Sequence, residues 1–200
     1  FREEGLELQR FSPGGGFAIS YKREDEPPAV SDYAEAIIST MTETCQDLGM
    51  ELPSLVIEPG RAIIGPAGVA FYRVGAIKDV PGVRKFVSVD GGMGDNIRPA
   101  LYQAEYEVLA ANKANQELVE KVTIAGKYCE SGDLLATDVM LPKLDAGDLL
   151  AIPAAGAYCP SMASTYNMNP KPPMVLVKDG KSRLIRRRET YQDLLHLDLV

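Results

Sequence analysis

The chain has 200 residues and a net charge of −7, and it is 46% hydrophobic and 24% charged. These values are typical of a soluble globular protein with one large domain or two small ones, and the acidic balance argues against nucleic acid as a partner. No sufficiently long apolar run predicts a membrane-spanning helix, and no signal peptide is recognised. Three well-separated cysteines without a CxxC pair, and a single histidine near the end, argue against disulfides and a metal site. They favour a reducing compartment, and we expect the cytoplasm.

The first residue is Phe1 rather than Met, and Phe1–Glu4 resembles the end of an element that has already begun. We therefore expect a fragment or a processed chain. A short strand is predicted over Leu6–Phe11, and Ser12–Pro13 is expected to break it. Gly14, Gly15 and Gly16 follow, and glycines after a strand let backbone N–H groups converge on a phosphate. The alternative is a plain flexible loop, and no GK[ST] follows to make a Walker loop.

An amphipathic helix is predicted after residue 30. Asp32 is the expected N-cap, Glu35 completes a capping box, and Gly49 ends the helix. Apolar side chains recur every three or four residues along one face, at Tyr33, Ile37, Met41, Cys45 and Leu48. This face is expected to pack inward, which makes Cys45 a core thiol.

A buried strand is predicted over Leu55–Ile57, and it ends in Glu58-Pro59-Gly60-Arg61. The order strand–helix–strand, with polar residues at the strand ends, favours an α/β barrel or a doubly wound sheet. In both folds, ligands bind at the carboxyl ends of the strands. Arg61 offers a planar fork for a carboxylate or a phosphate, and Glu58 offers an acceptor. The alternative is that these two side chains pair with each other across the turn.

The pattern changes after Gly68, and we place a domain boundary near residues 62–70. Turn residues then separate short β-rich segments every 8 to 15 residues, which predicts a β-sandwich or barrel. The predicted strands are Val69–Ile77, Arg84–Val89, Ala104–Leu109, Glu117–Ile124, Asp148–Ile152, Met174–Val177 and Ser182–Arg188. A helix is expected again only at Thr190–Leu195.

Three polar segments in this part are candidate site elements. The glycine-rich loop 90–99 presents Arg98 as an anion ligand, with Tyr102 four residues later; the alternative is a surface turn with an arginine at its rim. Cys129 and Glu130 lie in a short polar turn, where site residues are common. Tyr158 lies in a run of small residues and has room to reach a ligand, although a core tyrosine is the alternative. The polar segment 161–167 is expected to approach a site or an interface, and the Arg186–Arg188 run is expected to be a solvated strand edge.

Taken in order, six motifs resemble the C-terminal half of the diaminopimelate decarboxylases, which belong to the fold-III, alanine-racemase-like family of pyridoxal-phosphate decarboxylases. EPGR is shared with ornithine and arginine decarboxylases, whereas CESGD favours the diaminopimelate branch. The motifs are GGGF (14–17), EPGR (58–61), VDGGMGDNIRPALY (89–102), CESGD (129–133), GAYCPSMASTYN (156–167) and RRETYQDLL (187–195).

The resemblance implies an architecture and an activity. Residues 1–65 would be the last strands and helix of a (β/α)8 barrel that binds pyridoxal 5′-phosphate, and residues 66–200 a C-terminal β-sandwich or barrel domain. The implied reaction is the decarboxylation of meso-2,6-diaminopimelate to L-lysine, in lysine biosynthesis. The alternatives are a related decarboxylase acting on arginine, ornithine or carboxynorspermidine, and a truncated, non-catalytic paralogue.

The resemblance also implies residue roles. Cys129 would be the catalytic proton donor, and no metal is implied. Because Cys129 and Glu130 act in the neighbouring subunit's site in this family, the resemblance implies a homodimer with shared active sites. The implied cofactor ligands are Gly14, Gly15, Gly16, Glu58, Gly60, Arg61 and Tyr158. The implied substrate ligands are Arg61, Arg98, Tyr102, Glu130 and Tyr158.

The chain departs from the family pattern in two ways. Ser12–Pro13 replaces the usual continuation of the strand before the glycines, and we expect it to shift the loop. The lysine that carries the cofactor and the histidine that stacks on it have no match in this chain. We therefore expect these 200 residues alone to be inactive.

Overall fold

One six-stranded sheet and two two-stranded sheets form the fold of the computed structural model, which describes residue 5 and residues 7–199. The predicted features at Phe1–Glu4, and the predicted strand start at Leu6, lie outside the described residues.

The N-terminal part is a strand–helix–strand unit, as predicted. Residues 7–9 of the predicted first strand are not in a strand, however, and Val56 and Ile57 of the predicted buried strand are 41% and 47% exposed. Strand β1 (Arg10–Gly14) pairs in parallel with β2 (Ser54–Ile57), and helix α1 (Val30–Asp47) connects them. The expected break at Ser12–Pro13 is wrong, because both residues lie inside β1. The register shifts between Phe11 and Gly14. A proline, which has no N–H to donate, is tolerated at such an irregularity.

The apolar face of α1 packs as its periodicity predicts except at Leu48, which follows the last helical residue and is 54% exposed. Tyr33, Ile37 and Met41 are half-buried, and Cys45 is buried in the core, which confirms the predicted core thiol. The predicted start of the helix is wrong: Asp32 is the third helical residue, and its Oδ2 accepts the backbone N–H of Ala29 at 3.0 Å. An acidic side chain at that position reaches back to the cap amide, so it caps the helix from inside.

The six-stranded sheet has the order β5-β8-β3-β4-β6-β7 and is nearly closed and barrel-like. All neighbours are antiparallel except β4 and β6, which are parallel. This confirms the predicted mainly-β part. The strands are β3 (Ala70–Val80), β4 (Arg84–Val89), β5 (Leu109–Ala110), β6 (Glu120–Ala125), β7 (Leu134–Leu141) and β8 (Leu149–Ile152).

One predicted strand of this sheet needs correction, and one observed strand was not predicted. Only the last residue of the predicted strand Ala104–Leu109 is in a strand, because its backbone bonds elsewhere: Ala104 N–H donates to the Arg98 carbonyl and Glu107 N–H to the Tyr21 carbonyl. Strand β7 was not predicted. The buried core of the sheet is mainly apolar, although Thr123 on β6 is also fully buried. Its most enclosed apolar side chains are Val87, Val122, Ile124, Leu135, Leu141, Leu150 and Ile152.

Three short helices were also not predicted: α2 (Gly60–Ile64), α3 (Arg98–Tyr102) and α4 (Cys159–Met162). Helices of four or five residues make little more than one turn, so no apolar periodicity can mark them in the sequence. The chain ends with the antiparallel pair β9 (Met174–Lys178) and β10 (Lys181–Arg186), then α5 (Tyr191–Leu195), both close to their predicted positions. Within the described residues, no helix has the length and apolar character needed to cross a membrane.

Candidate functional site

A cavity of about 410 Å³ lies beside the carboxyl ends of β1 and β2. It brings together six of the seven residues that the sequence resemblance assigns to the cofactor, all except Gly14. Its lining is Gly15, Gly16, Phe17, Glu58, Pro59, Gly60, Arg61 and Tyr158. Segments separated by up to about 140 residues therefore meet at one concave surface, which is the usual form of a small-molecule site.

The glycine loop and the Glu58 loop are in close backbone contact. Glu58 N–H donates to the Gly14 carbonyl at 3.0 Å, and a Cβ on Gly15 would lie 2.4 Å from the Glu58 carbonyl oxygen. Gly14 and Gly16 have φ of 83° and 85°, a conformation that glycine adopts without steric cost. The three glycines are thus required by the turn and by the close approach of the two loops.

Ser12 contacts both loops. Its Oγ donates to Glu58 Oε1 at 3.2 Å and accepts the backbone N–H of Gly14 at 3.1 Å. The Gly14 N–H is therefore engaged by a side chain, contrary to the expectation that all three glycine N–H groups face a phosphate. Ser12 also fixes one oxygen of the Glu58 carboxylate.

Glu58 and Arg61 do not pair with each other, so this alternative is wrong. Arg61 Nε donates to the Phe17 carbonyl at 3.4 Å, and in the described part of the chain no ion pair joins Arg61 to Glu58. Both side chains line the cavity. The cavity therefore presents one cationic and one anionic group to a ligand.

Tyr158 reaches the cavity because its segment packs against the backbone that follows α2. Ala155 N–H donates to the Gly68 carbonyl at 2.9 Å and Gly156 N–H to the Gly65 carbonyl at 3.0 Å. Tyr158 itself has φ of 70°, which is rare for an aromatic residue, and its side chain is 47% exposed. The core-tyrosine alternative is therefore wrong, and the backbone is held in an uncommon conformation of the kind that clusters at functional sites.

Arg98 is buried, at 9% exposure, so the alternative of an arginine at the rim of a surface turn is also wrong. Its Nη1 donates to the hydroxyls of Tyr106 at 2.6 Å and Tyr21 at 2.8 Å. Its guanidinium lies 5.4 Å from the centre of the Tyr158 ring, which connects it to the cavity wall. Burial by itself would lower the pKa of Arg98, but the Tyr106 hydroxyl and the other neighbours raise it.

The partners of Arg98 are neutral phenols. Among the described residues no carboxylate lies within ion-pair distance of it. Burial also raises the pKa of Tyr106 above its ordinary value, so this phenol stays protonated at neutral pH. The guanidinium is thus a nearly buried cation without a charged protein partner, and such a group attracts an anionic ligand.

Besides Gly14 and Arg98, three predicted site residues do not line the cavity. Tyr102, on α3, is 61% exposed. Cys129 and Glu130 are also exposed, in the turn between β6 and β7. Among the residues that the structure describes, Glu130 Oε1 accepts hydrogen bonds only from its neighbours Ser131 and Gly132. The structure therefore separates the thiol from the group of residues around Glu58.

Several contacts at the site were not predicted from the sequence. Phe17 lines the cavity, and Tyr21 and Tyr106 hold Arg98. No local pattern marks Tyr21 and Tyr106, which are 85 positions apart and meet edge to face at 5.0 Å. Asp133 and Asn167 accept hydrogen bonds from backbone N–H groups of the Cys129 turn. The role of Asp133 could have been predicted from the motif CESGD, in which an acidic residue directly follows the glycine of the turn.

Comparison with known proteins identifies the family of the chain. Residues 21–156 match the family model for the C-terminal sheet domain of pyridoxal-dependent decarboxylases. The diaminopimelate decarboxylase of Bacillus subtilis is 51% identical over 93% of the chain, and that of Synechocystis is 47% identical over 97%. The crystal structure of the M. jannaschii diaminopimelate decarboxylase in complex with L-lysine covers the whole chain at 42% identity with a TM-score of 0.91.

The chain spans less than half of each of these proteins: 42% of the Bacillus subtilis enzyme, 41% of the Synechocystis enzyme and 45% of the M. jannaschii chain. The matched family model nevertheless covers most of the chain, including Arg98, Cys129 and the approach to Tyr158. The chain therefore belongs to the pyridoxal-dependent decarboxylase family and contains its C-terminal sheet domain.

Proposed function

We propose that this chain is the C-terminal part of an enzyme that decarboxylates meso-2,6-diaminopimelate to L-lysine with pyridoxal 5′-phosphate as cofactor. The observation that carries the proposal is the cavity at β1 and β2, in which a carboxylate, a guanidinium, a phenol and a glycine turn meet. The identity to diaminopimelate decarboxylases along nearly the whole chain supports this choice of substrate.

The residues present fit the cofactor. An anionic phosphate would be held by Arg61 and by the backbone N–H groups of Gly15 and Gly16, since the Gly14 N–H is already bonded to Ser12. Glu58 would face the pyridine nitrogen, and its carboxylate would favour the protonated ring. When bound, the cofactor supplies a protonated ring that accepts the electron pair left on the α-carbon as CO₂ departs. Tyr158 would contact both cofactor and substrate.

The distal end of diaminopimelate carries a carboxylate and an ammonium, so it requires a cation and an anion. Arg98 would bind the carboxylate, because its charge has no carboxylate partner among the described residues and its position is fixed by two phenols. Tyr102, on the same short helix, would donate to the substrate, and Glu130 would accept from the ammonium.

Cys129 would donate a proton to the α-carbon after CO₂ leaves. Cys129 and Glu130 are exposed and do not line the cavity of their own chain. We therefore propose that they complete the site of a second copy, in a homodimer with two shared active sites. Arg61 and Cys129 would then act on one substrate from different subunits.

The remaining architecture is also a proposal. Residues 1–65 would be the end of a (β/α)8 barrel, for which the parallel pairing of β1 and β2 is the supporting observation, and residues 66–200 would be the β domain. The lysine that carries the cofactor would lie in a preceding segment, so the 200 residues alone would not turn over substrate. We propose a cytoplasmic location.

Substrate turnover tests the function directly. The full-length natural protein, supplied with pyridoxal 5′-phosphate, should release CO₂ from meso-diaminopimelate and should be far slower with arginine, ornithine or carboxynorspermidine. The reason is that these substrates lack the distal carboxylate that Arg98 would bind. Preference for one of them would overturn the substrate assignment, and no turnover of any would favour a non-catalytic paralogue.

Mixed dimers test the shared site. Cys129→Ala and Arg61→Ala homodimers should each be nearly inactive, because each lacks one required group in both sites. Heterodimers formed by mixing the two variants should recover up to about half of the wild-type activity per two-site dimer, since one site is then intact. Absence of any recovery, with heterodimer formation verified, would refute the sharing of sites.

A further inference from the structure

The Cys129 turn, residues 126–133, is held by two side chains that have no assigned role. One is the buried Asp133, at the end of the turn itself. The other is Asn167, which lies in the segment after α4. We infer that Asn167 is a positioning residue that fixes the backbone of Cys129 against a rigid frame made by Asp133. The inference rests on the proposed role of Cys129 as proton donor.

Asp133 fastens the inner side of the turn. Its carboxylate is 3% exposed, and it accepts the backbone N–H groups of Met93 at 2.6 Å and Tyr128 at 2.8 Å. A Cβ on Gly92 or Gly126 would lie within 2.4 Å of a carboxylate oxygen of Asp133, so only glycine fits at both positions. This packing joins the turn to the loop that leads to Arg98.

Asn167 fastens the outer side. Its Oδ1 accepts the Cys129 N–H at 3.0 Å, one residue along the chain from the amide that Asp133 holds. Asn167 has φ of 51°, in the left-handed region that asparagine tolerates better than most residues. Its segment is itself anchored, because Ser164 N–H donates to the Gly94 carbonyl at 2.9 Å.

Two consecutive amides are therefore held by different side chains: that of Tyr128 by Asp133 within the turn, and that of Cys129 by Asn167 in the segment after α4. Holding both amides restricts φ and ψ of Tyr128, which lies between the two peptide planes. The Glu130 N–H, which donates to the Tyr128 carbonyl at 2.8 Å, limits rotation of the backbone at Cys129. The direction of the thiol then depends only on its own side-chain torsion. A side chain that delivers a proton needs this precision, because misplacement by about 1 Å can cost about a hundredfold in rate.

Asn167→Gly in the full-length natural protein tests the inference. Glycine keeps the left-handed backbone and removes only the acceptor, so the fold should remain. Hydrogen exchange at the Cys129 amide should accelerate about five- to tenfold, as expected for loss of one hydrogen bond. The kcat for diaminopimelate should fall about tenfold, and KM should rise by a smaller factor, because the turn also carries Glu130 whereas Arg98 and the cavity around Glu58 are untouched.

Two companion variants separate positioning from stability. Met168→Gly places glycine at the next residue, which also has a positive φ, 55°, and it leaves the Asn167 acceptor in place; exchange and kcat should stay near wild type. Asn167→Asp keeps both the acceptor and the tolerance for a positive φ, and it should restore protection of the Cys129 amide.

The outcomes are distinct from those that test the proposed function. Unchanged exchange at the Cys129 amide in Asn167→Gly would overturn the inference whatever the protein catalyses. Faster exchange with unchanged kcat would overturn the role of Asn167 in catalysis. If the wild-type protein did not decarboxylate diaminopimelate, the proposed function would fail, while the exchange data would still decide whether Asn167 holds the turn.

Discussion

Removal of the Tyr106 hydroxyl measures how the protein stabilises Arg98. Tyr106→Phe keeps the ring, its edge-to-face contact with Tyr21 and its contact with the guanidinium at 5.7 Å. It removes only the hydroxyl that accepts from Arg98 Nη1 at 2.6 Å, at a residue that is 3% exposed. The same hydroxyl lies 3.8 Å from Cys159 Sγ, so the substitution removes one charge-assisted hydrogen bond and one weak contact with a thiol.

The expected loss in unfolding free energy depends on which hydrogen-bond acceptors Arg98 keeps in each variant. A hydrogen bond to a charged group contributes about 1.5–3 kcal/mol to the free energy of unfolding. Because Nη1 also donates to Tyr21 at 2.8 Å, one acceptor remains in each single variant. We expect Tyr106→Phe to lower the free energy of unfolding by about 1.5–2 kcal/mol. Tyr21→Phe should lower it by the same amount or less, because Tyr21 is only half-buried.

The double variant is the decisive comparison. With both hydroxyls gone, Nη1 has lost both phenol acceptors, and the loss in unfolding free energy should exceed the sum of the single losses by about 1 kcal/mol. Urea unfolding of the wild type, the two single variants and the double variant gives these differences, with the exposed Tyr191→Phe as the control. Additive losses, or a Tyr106→Phe effect below about 0.5 kcal/mol, would refute the assigned role of the phenols.

Three further predictions follow from other contacts. Cys129→Ala should lower kcat roughly 10²–10⁴-fold with cofactor absorbance retained; an unchanged kcat would remove the thiol from the mechanism. Gly156→Ala should lower the free energy of unfolding by about 3 kcal/mol or more, because its Cβ would lie 1.9 Å from a carbonyl oxygen of α2. Thermal melts measure this loss, with Gly132→Ala as the control, since a Cβ there meets nothing within 4 Å. Equal melting temperatures for the two variants would contradict the prediction. The Arg187 guanidinium, together with Thr190, holds the pKa of Asp193 well below its usual range. Since the folded pKa is depressed, its stabilising contribution is present above the unfolded pKa of about 3.9 and is lost as pH falls through the folded value. Protection of the α5 amides against exchange should therefore decline in acid, and Asp193→Asn should weaken that pH dependence; equal acid profiles would refute it.

The local sequence pattern was sufficient to predict an element where a helix buries a long apolar face or where turn residues bound a strand. The spacing of Tyr33, Ile37, Met41 and Cys45 predicted the buried face of α1, and the turn residues around β4 gave its bounds at Arg84–Val89. The helix start was misplaced because Asp32 can cap the helix either from the N-cap or from the third residue, and the two patterns look alike. Strand β5 was overestimated because residues 104–108 alternate like a strand but bond to a loop.

The sequence by itself determined which residue types were available for chemistry, and the motifs around Glu58, Arg98 and Cys129 pointed to the family to which the chain belongs. Only the tertiary structure decided how these motifs meet. The close approach of Gly68 and Gly156 brings Tyr158 to the cavity, and Tyr21 and Tyr106 turn Arg98 into a buried cation. Gly68 and Gly156 are 88 positions apart, and Tyr21 and Arg98 are 77 apart, and the energies of these contacts depend on burial and distance. Neither quantity is carried by local spacing, so no pattern within a single segment could have revealed them.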